Sequence, residues 1–201
     1  LTAEVLRTAR DVAPLIAELH GDPPTGKDDD LAGLVARFKE TTGYPTEGNE
    51  QAKADRREFA RLLDPEELPV VDLAELRSIW NTNRYGGPGP MSLLNTSIRD
   101  ADEAEYRRIL RTFEYICWGD DPPATRIDKV LTDDDLRVRG LGESVIMKLL
   151  AISHPEQFIT VYPYQGPKGK LKMLKLLGID PPQSSSRGEL QVASNDALRG
   201  R

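Results

Sequence analysis

The chain has 201 residues, of which 38% are hydrophobic and 30% charged, and these proportions suit one folded domain with or without an appendage. No apolar run approaches the roughly 18 residues that a membrane-spanning helix needs, and no N-terminal segment resembles a signal peptide. A single cysteine, Cys117, excludes an internal disulfide and predicts a cytoplasmic location. With only two histidines beside it, we expect neither a zinc cluster nor a cofactor.

Apolar residues recur at helical spacing along most of the chain, which predicts an all-α, multi-helix domain. The predicted helices are 2–20, 28–40, 50–63, 72–80, 100–118, 124–131, 143–153 and 168–177, with a short helix after the loop 81–95. Thr132 and Asp135 have the spacing of a capping box, which predicts a further helical turn there. The only β-like run is 158–164, and prolines flank or interrupt it.

Composition also suggests where the domain ends. The segment PPQSSSRG at 181–188 is typical of a linker, and the helical pattern beyond it predicts the start of a further region. We therefore predict one all-helical domain over 1–180, followed by a linker and a new helical region over 181–201. Because the first residue is Leu1 and not methionine, we expect the sequence to be part of a longer protein.

Charge is unevenly distributed along the chain, whose net charge is −6. Residues 137–178 carry seven basic and two acidic side chains, a net charge of +5, whereas residues 1–136 carry −11. The domain therefore divides into an acidic helical half, 1–136, and a basic part, 137–178. Because phosphate binding depends on local charge, the basic part is where a nucleic acid is expected to bind.

The segment GDPPTGKD at 21–28 nearly matches a nucleotide-binding phosphate loop. Such a loop needs a preceding strand, glycine amides that face the phosphate and a hydroxyl for magnesium. Here a helix is predicted to precede the segment, two prolines remove amide donors, and Asp28 occupies the position of the hydroxyl. We interpret the segment as a solvated loop between helices.

The segment VRGLG at 138–142 matches the apolar-x-Gly-apolar-Gly pattern of a helix-hairpin-helix. Gly140 and Gly142 permit close approach of a backbone, and the following helix presents free amides that suit a phosphate. The basic candidates around this turn are Arg137, Arg139 and Lys148. The same pattern also describes a plain corner between two core helices, and both interpretations stay open. Ile146 departs from the pattern because a small residue is usual there.

Base-excision enzymes with this hairpin carry a catalytic aspartate roughly twenty residues beyond the glycines. Residues 158–164 contain no carboxylate, so base excision is excluded and no catalytic residue is assigned.

Two further groups of residues are candidates for nucleic-acid contacts. Four lysines cluster where a helix is predicted to begin, namely Lys168, Lys170, Lys172 and Lys175. Their positive charges oppose the positive end of the helix dipole, and a bound anion would relieve that repulsion. A solvated lysine face is an equal alternative. The leucines at 171, 174, 176 and 177 are predicted to form the buried side of that helix. Candidates for reading or stacking on a base are Asn81, Asn83, Arg84, Tyr85, Tyr162 and Tyr164, whereas Trp80 and Trp118 are interpreted as core residues.

Four segments of the sequence resemble the region N-terminal to the AAA-type GTPase of actinobacterial McrB-like proteins. They are IWNTNRYGGPGPMSLLN, YRRILRTFEYICWG, RIDKVL and the stretch from LRVRGLGESVIMKLLAISHPEQF through KLKMLKLLG. The resemblance covers 76–178, about half of the chain. It implies a domain that selects DNA, often with modified cytosine, in a restriction system whose motor and partner nuclease are separate. No binding residue is carried over, because such domains vary in fold. The alternative is a protein-interaction or assembly module of a multi-domain ATPase or GTPase.

Overall fold

The computed structural model describes residues 31–200, so the predicted helix 2–20 and the segment 21–28 lie outside the described residues. Within this range the chain folds into nine α-helices and one 3-10 turn, and it contains no strand, which confirms the all-α prediction. The helices are α1 (Leu31–Thr42), α2 (Glu47–Leu62), α3 (Leu73–Ser78), α4 (Ser92–Arg99), α5 (Glu103–Trp118), α6 (Pro123–Thr132), α7 (Glu143–Ser153), α8 (Lys170–Leu176) and α9 (Arg187–Arg199), and the 3-10 turn is Leu68–Val70.

Side-chain caps fix the first residue of several helices. Asp102 accepts a hydrogen bond from the Glu105 amide at 2.8 Å, so α5 begins at Glu103 and not near Asp100. Asp72 caps α3 and Ser186 caps α9 through the same kind of contact with a backbone amide.

The central helix of the fold is α7. Every residue from Val145 to Ile152 is buried, and the helix packs against α2, α5 and α6. A helix that is enclosed on all sides needs apolar side chains around its whole circumference, which explains why Ile146 replaces the small residue of the hairpin pattern. None of the helices within 31–200 has both the length and the apolar content needed to cross a bilayer.

The two tryptophans differ in their environment. Trp80 is 1% exposed and contacts the Phe113 ring edge to face at 5.7 Å, as expected for a core residue. Trp118 is 37% exposed, and its indole donates a hydrogen bond to the Leu63 carbonyl at 2.6 Å. The interpretation of Trp118 as a core residue is therefore wrong.

The C-terminal helix α9 belongs to the same packed unit as the rest of the domain. It packs against α6 and α8 and buries three polar side chains, Gln191, Ser194 and Asn195. The predicted boundary at 180 is therefore wrong. A serine- and proline-rich connection resembles a linker in composition, but it covers only the short distance to a helix that docks on the domain.

One local prediction is corrected in part. The predicted helical turn after Thr132 is present, since the Arg137 amide donates to the Asp133 carbonyl at 2.8 Å. Thr132 does not cap it, because its hydroxyl donates to the Asp128 carbonyl at 2.8 Å at the end of α6, and the Asp133 carboxylate instead accepts from the Asp135 amide at 2.9 Å. The β-like run 158–164 forms no strand, and its backbone groups bond both to side chains and to the first amides of α8. For example, the Ile159 amide donates to the Asn195 side chain at 2.9 Å.

Candidate nucleic-acid interface

The first glycine of the hairpin is required by packing. Gly140 has φ +87°, and a Cβ atom at this position would lie 2.3 Å from the backbone nitrogen of Leu94 in α4. The neighbouring Arg139 carbonyl accepts a hydrogen bond from the Ser97 hydroxyl at 2.9 Å. Val138 and Leu141 are buried on either side. Gly140 therefore forms a corner that brings the backbone of the turn 138–142 against α4.

The second glycine is not explained by packing. Gly142 precedes α7 as its N-cap, with φ −99°, and a Cβ atom there would meet no atom of residues 31–200 within 4 Å. A side chain at 142 would instead project beside the first turn of α7. The two glycines therefore have different physical roles, and a paired substitution separates them.

We expect Gly140→Ala to destabilise the domain by roughly 3 kcal/mol, because the new Cβ combines a left-handed backbone with a backbone clash. We expect Gly142→Ala to cost at most about 1 kcal/mol, since alanine is only a poorer N-cap than glycine. Urea unfolding of both variants measures the difference. Equal unfolding midpoints for the two variants would show that Gly140 does not have the packing role described here.

The hairpin is less positive than its arginines suggest. Arg137 and Arg139 are exposed, but three exposed aspartates, Asp133, Asp134 and Asp135, directly precede them. Residues 133–142 therefore carry a net charge of −1. Any phosphate contact at this turn depends on the individual arginines and not on a uniformly basic surface.

Lys148 is not available to bind a phosphate, which corrects its assignment to contacts with the nucleic-acid backbone. Its side chain is fully buried, and its ammonium donates to the Arg84 carbonyl at 2.9 Å and the Gly86 carbonyl at 2.6 Å. Burial lowers the pKa of Lys148 from 10.5 to about 8. The Phe59 ring lies 5.6 Å below the ammonium group and adds a cation–π contact.

The predicted reading loop is held in place by buried side chains. Three consecutive carbonyls of the loop accept hydrogen bonds from side chains. Lys148 donates to the carbonyls of Arg84 and Gly86, and the Tyr162 hydroxyl donates to the Tyr85 carbonyl between them. Tyr85 itself donates to the Ala151 carbonyl at 3.2 Å. We call these five hydrogen-bonded residues the loop anchor: Arg84, Tyr85, Gly86, Lys148 and Tyr162. Tyr85 and Tyr162 therefore hold the loop and are not exposed stacking platforms, which corrects their assignment.

Arg84 is also occupied within the protein. Its guanidinium contacts the buried Asp55 carboxylate at 2.8 Å and pairs with Glu58 as well. Burial opposes ionisation of Asp55, but the hydrogen bonds from Arg84 and Gln51 outweigh it, so the pKa of Asp55 is lowered. This ion pair ties the loop to α2, and the assignment of Arg84 as a base reader is corrected.

Of the remaining predicted readers, Tyr164 is only 6% exposed, which corrects its assignment too. Asn81 and Asn83 are exposed beside a surface cavity of about 460 Å³. Asn81 exchanges two hydrogen bonds with the Asn95 side chain, at 3.1 and 2.6 Å. Only these two asparagines of the predicted readers therefore remain accessible.

The four lysines of the predicted cluster likewise separate into one buried and three exposed side chains. Lys170 is fully buried and donates to the Gln191 side-chain oxygen at 2.7 Å and its carbonyl at 3.2 Å, so its assignment to a phosphate is corrected. Burial lowers the pKa of Lys170 from 10.5 to about 7. Lys168, Lys172 and Lys175 are exposed. Leu176, predicted to be buried, is 75% exposed.

Some exposed arginines outside the basic part, such as Arg57 and Arg111, lack a carboxylate partner among residues 31–200, but the basic part 137–178 holds five exposed cations of this kind. They are Arg137, Arg139, Lys168, Lys172 and Lys175, which we call the unpaired cations. By contrast, many exposed cations of the acidic half form ion pairs, for example Lys53 with Glu50 and Lys129 with Asp121. An unpaired surface cation is free to bind an external anion at no cost of breaking an internal pair.

One contact joins the two segments that carry the unpaired cations. The Tyr164 amide donates to the Glu143 carboxylate at 3.4 Å. Arg139 lies four residues before Glu143, and Lys168 lies four residues after Tyr164. Because consecutive Cα atoms are about 3.8 Å apart, the Cα of Arg139 is within roughly 15 Å of the Cα of Glu143, and the Cα of Lys168 is equally close to that of Tyr164. The hairpin and the loop before α8 therefore lie beside each other.

No family model, curated protein or solved structure matches this chain.

Proposed function

We propose that this chain is a DNA-binding domain that holds the phosphate backbone and catalyses no reaction of its own. The observation that carries this proposal is the set of unpaired cations in a chain whose net charge is −6. Cations that neutralise phosphates release condensed counterions, and this sequence-independent gain dominates non-specific affinity. Phosphate contacts position a duplex without reading its sequence.

The strongest part of the proposed surface is α8 with the loop before it. Residues 157–179 contain no acidic side chain, and three of the unpaired cations, Lys168, Lys172 and Lys175, lie in this stretch. The hairpin arginines add to it from the neighbouring segment. In this proposal Asn81 and Asn83 remain the side chains available to contact a base.

The choice of DNA over other polyanions rests on the resemblance of 76–178 to the specificity regions of McrB-like restriction proteins. In that setting the chain is the specificity domain of a longer protein, which would work with a partner nuclease subunit. A duplex carrying modified cytosine is therefore the first ligand to compare with an unmodified one.

We expect the domain to bind a duplex of about 20 base pairs at low salt, and Lys172→Glu combined with Lys175→Glu to weaken that binding about tenfold or more. The reason is that two attractive charges become repulsive at the proposed surface. Fluorescence anisotropy at 50 mM salt, on modified and unmodified duplexes, measures the affinity.

The matched control is Arg57→Glu combined with Arg111→Glu, which makes the same charge change at exposed positions of the acidic half. We expect this control to change affinity by less than about threefold, since distant charges are screened. Equal losses in both double variants, or no wild-type binding at low salt, would rule out the proposed surface.

A second function, a protein-interaction module, is favoured by one observation. Two large apolar side chains, Val70 and Leu176, are 79% and 75% exposed, and an apolar side chain within a polar rim is what a partner protein covers.

A further inference from the structure

Among the side chains whose exposure the structure describes, the two most exposed large apolar ones lie on surfaces of opposite charge. Val70, at 79% exposure, ends the 3-10 turn of the acidic half. Leu176, at 75% exposure, ends the lysine-rich helix α8. Each apolar side chain is therefore surrounded by charges that complement those around the other.

Val70 borders a surface cavity of about 430 Å³ between the 3-10 turn, α4 and α5. Its lining combines apolar side chains with three carboxylates, and the residues that matter are Val70, Ile98, Ala101, Asp72, Asp102 and Glu103. Asp72 and Asp102 each accept one backbone amide bond and Glu103 pairs with Arg107, so an incoming lysine adds to these contacts. We call this the acidic pocket. The Tyr106 hydroxyl donates to the Val71 carbonyl at 2.5 Å and holds one wall in place. Such a lining suits a ligand that carries both an apolar group and cations.

The exposed face of α8 has that composition. Lys172, Lys175 and Leu176 stand at i, i+3 and i+4, so they lie on one side of the helix. All three are exposed, and neither lysine contacts a carboxylate of residues 31–200. We call this the lysine–leucine face.

We propose that the lysine–leucine face of one copy of this chain docks into the acidic pocket of a second copy. Leu176 covers the apolar floor beside Val70, and the two lysines approach the carboxylates on the rim. Within one molecule α8 packs against α9, whereas the pocket is built by the 3-10 turn, α4 and α5, so a single copy does not make this contact.

The contact joins two different surfaces and is therefore heterologous, which produces open chains or closed rings of copies. One short helix face and one pocket bury less than the ~1,200 Å² typical of a stable interface, so the association is weak. DNA and a second copy would compete for Lys172 and Lys175. The inference does not rest on DNA binding, because it is argued from the opposite charges and the exposed apolar side chains of the two surfaces.

Sedimentation velocity between about 10 and 500 µM protein at low salt tests the proposal. We expect the weight-average mass of the wild type to rise with concentration and to fall again when salt screens the contact. We expect Glu103→Lys, Leu176→Ser and Lys172→Glu each to remain monomeric. All three positions are exposed or at a helix surface, and a thermal melt confirms that each variant is folded.

Mixing gives the decisive comparison. An equimolar mixture of Glu103→Lys and Lys172→Glu should associate although neither variant does so alone, because the intact pocket of one meets the intact face of the other. The control Glu114→Lys reverses an exposed acid of α5 outside the pocket and should associate like the wild type.

A wild type that stays monomeric at 500 µM and low salt would overturn the inference, and so would a mixture that fails to associate. Leu176→Ser and Glu103→Lys keep all the unpaired cations, so they should still bind DNA if the proposed function holds. Loss of self-association with intact DNA binding, or the reverse, therefore separates failure of one proposal from failure of the other.

Discussion

Replacing Lys148 with methionine is expected to destabilise the domain by about 3 kcal/mol and to loosen the loop 81–91. Methionine fills a similar volume but donates no hydrogen bond, so the Arg84 and Gly86 carbonyls lose their donor. An unsatisfied buried acceptor costs roughly 1–3 kcal/mol, and two are created at once. The loop would then keep the Tyr162 contact to the carbonyl between them, the Tyr85 contact to Ala151 and the Arg84 ion pair, but it would lose both bonds from Lys148.

Urea unfolding measures the stability change, and hydrogen exchange of the 81–91 amides measures the release of the loop. The control is Lys53→Met on the exposed surface of α2, which should change stability by less than about 0.5 kcal/mol. If Lys148→Met unfolds at the wild-type urea concentration and the loop keeps its protection, the loop anchor does not have the role described here.

Gly188→Ala is expected to destabilise the protein by roughly 3 kcal/mol or more and to detach α9 from α6. The new Cβ would lie 1.9 Å from the Ala124 carbonyl oxygen, which belongs to backbone and cannot turn aside. The Gly188 amide also donates to the Asp128 carboxylate at 2.8 Å, and this bond would be strained by any shift. Movement of α9 would carry Gln191 away from the buried Lys170 and leave that lysine without acceptors.

Limited proteolysis and urea unfolding together check this expectation, because a detached α9 becomes a cleavage site. Gly200→Ala is the matched control, since its Cβ would lie at an ordinary 3.5 Å from the Asp196 carbonyl oxygen. Wild-type stability and protease resistance in Gly188→Ala would mean that residues 181–200 are an appendage after all, as their composition suggested.

The helices could be predicted from the sequence because their signals are local. Apolar spacing within one helix identified most elements to within a few residues, and it identified Trp80 as a core residue. The misassigned boundary at 180 depended on contacts that no local pattern encodes, such as the approach of Gly188 to Ala124 across 64 positions. The exposure of Leu176 was missed for the same reason, since helical spacing does not reveal that one face has no neighbour.

The candidate site was harder to predict than the fold. A lysine is expected at the surface, and no local pattern indicates that Lys148 reaches carbonyls more than sixty positions away. Arg84, in a loop, is likewise far along the chain from its partners Asp55 and Glu58 on α2. What did follow from the sequence was the basic segment itself, because local charge needs no tertiary information.

The salt dependence of duplex binding tests the central claim most directly. With the five unpaired cations on phosphates, the logarithm of the association constant should fall against the logarithm of salt with a slope of about −4.5. Neutralising two of them with Lys172→Gln and Lys175→Gln should make that slope shallower by about 2. An identical slope for the wild type and this double variant would contradict the proposal that α8 holds the DNA backbone.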